Sequence, residues 1–196
     1  MADRTIENSA TDIPAIPEIL ERVLLFALEE AKEKMTQGGD IVPFTALVVK
    51  ENLFLETHPG DTADECFADA RRTVEGARGA NAYAFCYDGY VETDAGTADV
   101  VIAEGGIPGE SEGMAIGYLY TMKGDLPVFE DAPAYIGEAP NFMADLKEAD
   151  DYEEEEVEAR YLEDEYEKSA VPADDAGPAA ADAAPAGPAP APAENA

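Results

Sequence analysis

Residues 81–106 limit what the rest of this chain can be. Their sequence, NAYAFCYDGYVETDAGTADVVIAEGG, sets two apolar runs on either side of a polar turn that contains Gly96. That is the pattern of a β-hairpin. On the first arm Tyr83, Phe85 and Tyr87 alternate with Ala82, Ala84, Cys86 and Asp88. A period of two sends the aromatics to one face of a strand and the small residues to the other. Small side chains let a helix approach closely, so the Ala/Cys face is expected under a helix. The aromatic face then needs its own cover, from a tail, a helix or a second copy. A turn at Asp88-Gly89 would leave arms too short to pair. The expectation is therefore a bulge at Gly89, with the strand continuing through Tyr90 and Val91. The return arm, Val100-Val101-Ile102-Ala103, is an unbroken apolar run that suits a strand buried on both faces.

The other segments are placed against this hairpin. Asp12 is an N-cap candidate with Pro14 in the first turn. Ile16, Ile19, Leu20, Val23, Ala27, Ala31 and Met35 then recur at helical spacing, and Gly38-Gly39 ends the helix. Two short strands follow, over 42–49 and 53–57, around a Lys50-Glu51-Asn52 turn. Thr62 and Glu65 have the T-x-x-E spacing of a capping box, which opens a second helix running to Ala77. After the hairpin, 113–122 reads as a strand, 127–136 as an edge strand or extended segment, and 141–146 as a short helical patch. The fold class expected is α+β. It is one small domain over 12–146, with a mostly antiparallel sheet of about five strands and two covering helices, in the order α-β-β-α-β-β-β. Residues 1–11 read as a flexible leader, 147–169 as an acidic segment able to form a helix, and 170–196 as a disordered Ala/Pro-rich tail.

Charge narrows the function classes. The formal net charge is −32. Residues 1–145 carry 28 acidic and 9 basic side chains, and 146–196 carry 16 and 3, so the folded part is acidic as well as the tail. A field of that sign repels nucleic acid and anionic membranes, and neither is expected as a partner. It favours solubility, cations and basic protein surfaces. The N-terminus lacks a basic region followed by an apolar one, and no apolar run approaches the roughly 20 residues needed to span a bilayer. A cytoplasmic location is the expectation. Cys66 and Cys86 form no C-x-x-C pair and imply no disulfide framework.

The candidates for chemistry are few. His58 is the single histidine, and with Glu56 and Asp61 it suggests a metal site or a small hydrolase, while Asp88, Asp99 and Glu104 with Glu56 could hold calcium or magnesium. A Cys66 or Cys86 nucleophile with His58 as base is a further pairing. The helix dipole would lower the Cys66 thiol, while Asp61, Asp64, Glu65 and Asp69 would raise it. Asp88, Asp99 and Glu104 could pair with Glu56 as acid and base. The Gly105–Glu110 loop has no lysine and is flanked by glutamates, which makes it a poor phosphate cradle and a mobile connection instead. Tyr83, Phe85, Tyr87, Tyr118 and Tyr120 are core residues or a partner-binding face. No enzyme motif and no cofactor emerges. The leading expectation is a protein-interaction or scaffolding module that self-associates; the others are the Glu56–His58–Asp61 metal protein or hydrolase, and an acidic mimic that binds a basic protein surface.

Overall fold

The computed structural model describes residues 4–5 and 15–148. Its elements are β1 (Arg4–Thr5), α1 (Glu18–Thr36), β2 (Phe44–Val49), β3 (Asn52–Thr57), α2 (Ala63–Glu75), β4 (Ala82–Thr93), β5 (Gly96–Gly106), β6 (Glu112–Lys123), β7 (Leu126–Phe129) and β8 (Ala134–Pro140). They build an α+β domain of two helices and a mainly antiparallel sheet, in an order close to the one expected. Of the leader only β1 is described; Asp12, the acidic segment from residue 149 and the tail over 170–196 lie outside the described residues.

The sheet order is β3-β2-β4-β5-β6-β7, with β1 parallel on β4 and β8 antiparallel on β6. That is eight strands rather than about five. The additional ones leave little trace in sequence: β1 is two residues long, and the stretch expected as a single extended segment is two strands separated by residues 130–133, which include Pro133. The β4–β5 hairpin is the centre of the sheet. Its ladder runs without a slip from Tyr83↔Gly106 to Thr93↔Gly96, so the bulge expected at Gly89 is absent. A methyl group at Gly89 would make only ordinary contacts with Ile102 and Tyr87, and nothing there forces the strand out of register. A bulge does occur between Ala115 and Ile116, where β8 pairs with β6.

Each face of the hairpin takes the cover its side chains allow. On the small-residue face α1 buries Leu20, Val23, Leu24, Ala27, Leu28 and Ala31 against Ala46, Ala82, Ala84, Cys86, Val101 and Ala103. The alanines leave room for the helix backbone, and full burial of each Leu or Val contributes roughly 1.5–3 kcal/mol. The helix starts at Glu18 behind Pro17, five residues later than an Asp12 cap implies. Proline disfavours helical geometry in the residue before it, here Ile16, and is tolerated only at a helix start. On the aromatic face α2 sets Ala70 and Val74 over Leu47, Tyr83 and Phe85, and Phe142 and Met143 complete that cluster. The Thr62 hydroxyl caps α2 by accepting the Glu65 N–H at 3.2 Å. The Glu65 carboxylate reaches back one residue further than in the expected box, to the Asp61 N–H at 3.0 Å.

The 141–146 stretch forms turns, not a helix. Asn141 takes over the local backbone groups: its side-chain oxygen accepts the Met143 N–H, and its amide donates to the carbonyls of Ile107 and Glu110. Such side-chain competition is unfavourable to so short a helix. The same contacts answer the expectation of a mobile glycine-rich connection. Gly105 and Gly106 belong to β5, the Gly109 N–H bonds to the Met143 carbonyl, and the Asn141 side chain occupies the space a Gly106 side chain would need.

Candidate interaction edge and the buried histidine

β3 ends the sheet, and its position follows from where the helices stand. α1 sits over β4 and β5, and α2 over β2 and β4, so neither reaches the last strand. All six residues of β3 are exposed, among them Leu53 at 40%, Phe54 at 54% and Leu55 at 52%. Among the described residues the strand is held by β2 alone, through pairs from Phe44↔Thr57 to Val49↔Asn52. Lys50 turns the hairpin with φ +56°, the one positive value at a non-glycine among the described residues. The Asn81 side chain braces that turn by accepting the Lys50 N–H at 2.8 Å.

The hydrogen-bond phase of the ladder can be read from its end. The His58 N–H donates to the Pro43 carbonyl at 2.7 Å. Antiparallel pairs alternate between bonded and non-bonded, so Asn52, Phe54 and Glu56 turn their N–H and C=O groups to β2. Leu53, Leu55 and Thr57 therefore turn theirs outward, away from the sheet. Natural edges are usually blunted by lysine, proline or a bulge. β3 has no lysine, proline or bulge; its one charged residue is Glu56, and its middle is Leu-Phe-Leu.

Beside the edge, on the α1 side, the sheet is uncovered in two hollows. One, of about 760 Å³, lies among Arg22, Phe26, Val48, Lys50 and Leu53. The other, of about 390 Å³, lies among Glu30, Lys34, Phe44, Leu55 and Thr57. Leu53 and Leu55 project toward them because Val48 and Ala46, their partners on β2, face α1.

The single histidine stands at the end of this strand, but inside the protein. His58 is wholly buried, with Nδ1 2.9 Å from Asp69 Oδ2 on α2 and Nε2 3.0 Å from Thr45 Oγ1 on β2. Its ring meets Phe85 edge-on at 6.2 Å. The hydrogen bond from His58 holds the Asp69 carboxyl below its ordinary range against some loss of hydration, with help from the charges of His58 and Arg72. Carboxylate, imidazole and hydroxyl thus stand in the sequence of a nucleophilic triad. Thr45 is also wholly buried, so no substrate reaches its hydroxyl. The chain of bonds ties α2 to the sheet.

The expected metal grouping does not converge. His58 turns inward while Glu56 and Asp61 are exposed, and among the described residues no group of three or more His, Cys, Asp or Glu is placed to hold a metal. Asp69, the residue His58 does engage, was visible only as one of several carboxylates around Cys66. One signal could have found it: it lies three residues after Cys66, beside the face of α2 that buries Cys66, Ala70 and Val74.

Cys66 and Cys86 are both buried and free. Burial, reinforced by Asp88, drives the Cys86 thiol far above its ordinary range, which removes its nucleophilic form. The hairpin carboxylates are divided between faces. Asp88 accepts the Tyr120 hydroxyl at 2.9 Å on the α1 side. Loss of hydration raises its carboxyl, which that bond opposes and Asp99 reinforces. Glu104 is buried on the opposite side, paired across the ladder with Phe85, and accepts the Tyr87 hydroxyl at 3.4 Å. The aromatics divide in the same way. Tyr83, Phe85 and Tyr87 lie toward α2, whereas Tyr118 and Tyr120 lie toward α1. Tyr83, Phe85, Tyr118 and Tyr120 are buried, so no one surface presents all five.

Among the described residues no helix is long and apolar enough to cross a membrane. No protein family, no curated protein and no solved structure matches the chain.

Proposed function

We propose that this chain is a protein-interaction module that binds by strand addition: an extended polypeptide segment pairs with the outward side of β3. One observation carries the reading. An apolar edge strand is fully exposed, with the N–H and C=O groups of Leu53, Leu55 and Thr57 turned away from its single neighbour. Strand addition draws affinity from main-chain hydrogen bonds and specificity from alternate side chains. Leu53 and Leu55 face the hollows beside α1, and Phe54 faces the other side.

Amide exchange tests this residue by residue. In 15N-labelled protein at about 10 µM, a concentration low enough to disfavour association, the outward amides of Leu53, Leu55 and Thr57 should exchange rapidly. They should slow when the protein is concentrated or when unlabelled extract of its own source cells is added. Exchange at the inward amides of Phe54 and Glu56 sets the scale for the folded strand. Outward amides that stay fast under both conditions overturn the reading.

A further inference from the structure

We infer that the segment received by β3 is β3 of a second copy of this chain, antiparallel, with the two-fold axis passing between the two Phe54 residues. This rests on the strand-addition reading above and goes beyond it by fixing the partner and the register.

The argument is one of self-complementarity. A two-fold axis makes an interface in which the same patch meets itself. Residues opposite one another in an antiparallel pair share a face, so the axis must fall on a residue of β3, and each choice gives a different set of pairs. With the axis at Phe54, Leu53 meets the partner's Leu55 and Leu55 meets the partner's Leu53. Both are outward-turned residues on the α1 side, so each pair exchanges both backbone hydrogen bonds. Phe54 meets the partner's Phe54 as the non-bonded pair between them, where side chains come closest. Asn52 then meets the partner's Glu56, an amide donor opposite a carboxylate.

The other axes are worse at named positions. An axis at Glu56 sets two carboxylates directly opposite, which is destabilising. At Leu55 it places Phe54 against the partner's Glu56, and at Leu53 it places Glu51 against the partner's Leu55. Only the Phe54 axis sets apolar against apolar and donor against acceptor along the whole strand. It also joins the hollow beside each α1 across a common floor of four strands, so that Leu53 and Leu55 of both copies lie on one surface.

Cysteine cross-linking reads the register. Phe54 is exposed and the native Cys66 and Cys86 are buried, so a Phe54→Cys variant presents one accessible thiol per chain. A non-bonded antiparallel pair brings Cα atoms to roughly 4.5 Å, within disulfide reach. Mild oxidation should convert most of Phe54→Cys to a disulfide-linked dimer. Leu55→Cys, whose own counterpart lies diagonally across, should link at least tenfold more slowly. Mixing Leu53→Cys with Leu55→Cys should link unlike chains in preference to like ones. Efficient linking of Leu55→Cys with none at Phe54→Cys overturns the axis. A wild-type chain with twice the mass of one chain in native mass spectrometry, together with an unlinked Phe54→Cys, overturns the β3–β3 pairing. A wild-type chain that stays single at all concentrations overturns self-pairing. Outward amides that are nevertheless protected by source-cell extract would then leave strand addition standing with a different partner.

Discussion

The Tyr83 hydroxyl accepts the backbone N–H of Phe142 at 3.0 Å while the two rings stack with centroids 5.3 Å apart. The same hydroxyl donates to the Pro140 carbonyl at 3.1 Å. One side chain from the central hairpin therefore fixes where the chain goes after β8. Tyr83→Phe should leave the buried Phe142 N–H without an acceptor, at a cost of about 1–3 kcal/mol. Urea unfolding should show a lower midpoint with an unchanged slope. A midpoint within error of wild type would mean that this contact does not hold the segment.

The Thr45–His58–Asp69 chain predicts a paired result. Thr45→Val keeps the shape but removes the partner of a buried imidazole nitrogen, and should cost about 1–3 kcal/mol. Thr45→Ser should restore most of it. Equal losses in the two variants would assign the effect to packing, not to the hydrogen bond.

Asp69 gives that site a pH signature. Its carboxyl is held below the ordinary value of 3.8 in the folded state, first by the His58 hydrogen bond. A depressed acid contributes stability that is present above the unfolded value and lost as pH falls through the folded one. Asp69→Asn should therefore be less stable than wild type at pH 6, and the difference should shrink below about pH 4. Urea midpoints measured between pH 6 and pH 2 check this. A gap that stays constant across the range would remove the titration argument.

Glycine positions separate close approach from open space. A methyl group at Gly105 would collide with the backbone carbonyl of Tyr83 in the neighbouring strand, which cannot swing aside as a side chain can. Gly105→Ala should cost about 1–3 kcal/mol or more. At Gly89 the nearest atom is 3.6 Å away, on Ile102. Gly89→Ala should be neutral or stabilising by up to about 1 kcal/mol, since alanine loses less entropy on folding. Thermal melts of the two variants side by side are sufficient.

Salt distinguishes a second copy from a basic partner. Two chains that each carry a formal −32 repel, and added salt screens that repulsion. Self-association should tighten between about 50 and 500 mM NaCl, as the Debye length shrinks severalfold. Sedimentation at several salt concentrations measures it. Weakening instead would favour attraction between opposite charges.

The layers of the fold were legible because they depend on strong local periodicity. The Tyr83/Phe85/Tyr87 alternation, the α1 apolar stripe and the Thr62 cap each mark one element, and each stands where the pattern places it. What escaped depends on contacts far apart in sequence. Nothing near Asn141 announces that its amide will reach Ile107 and Glu110, so the local sequence alone points to a short helix. The β3 edge was a strand in sequence but not an edge, since alternation does not say which strands pair. Leu53 and Leu55 therefore carry no mark in the sequence that separates an edge strand from a core one. His58 stood out by being alone, whereas Asp69 was hidden among 44 acidic residues.

β7 and β8 both pair with β6, one with its far half and one with its near half. Between Tyr120↔Phe129 and Gly117↔Ala134 the partner strand gains residues that the ladder does not count. The stretch Glu130–Pro133 is therefore a splice in a single long rail, with each side keeping its own register. Lengthening the chain there should turn no core side chain outward. A label could be inserted at that point while β3, at the opposite end of the sheet order, stays free to pair.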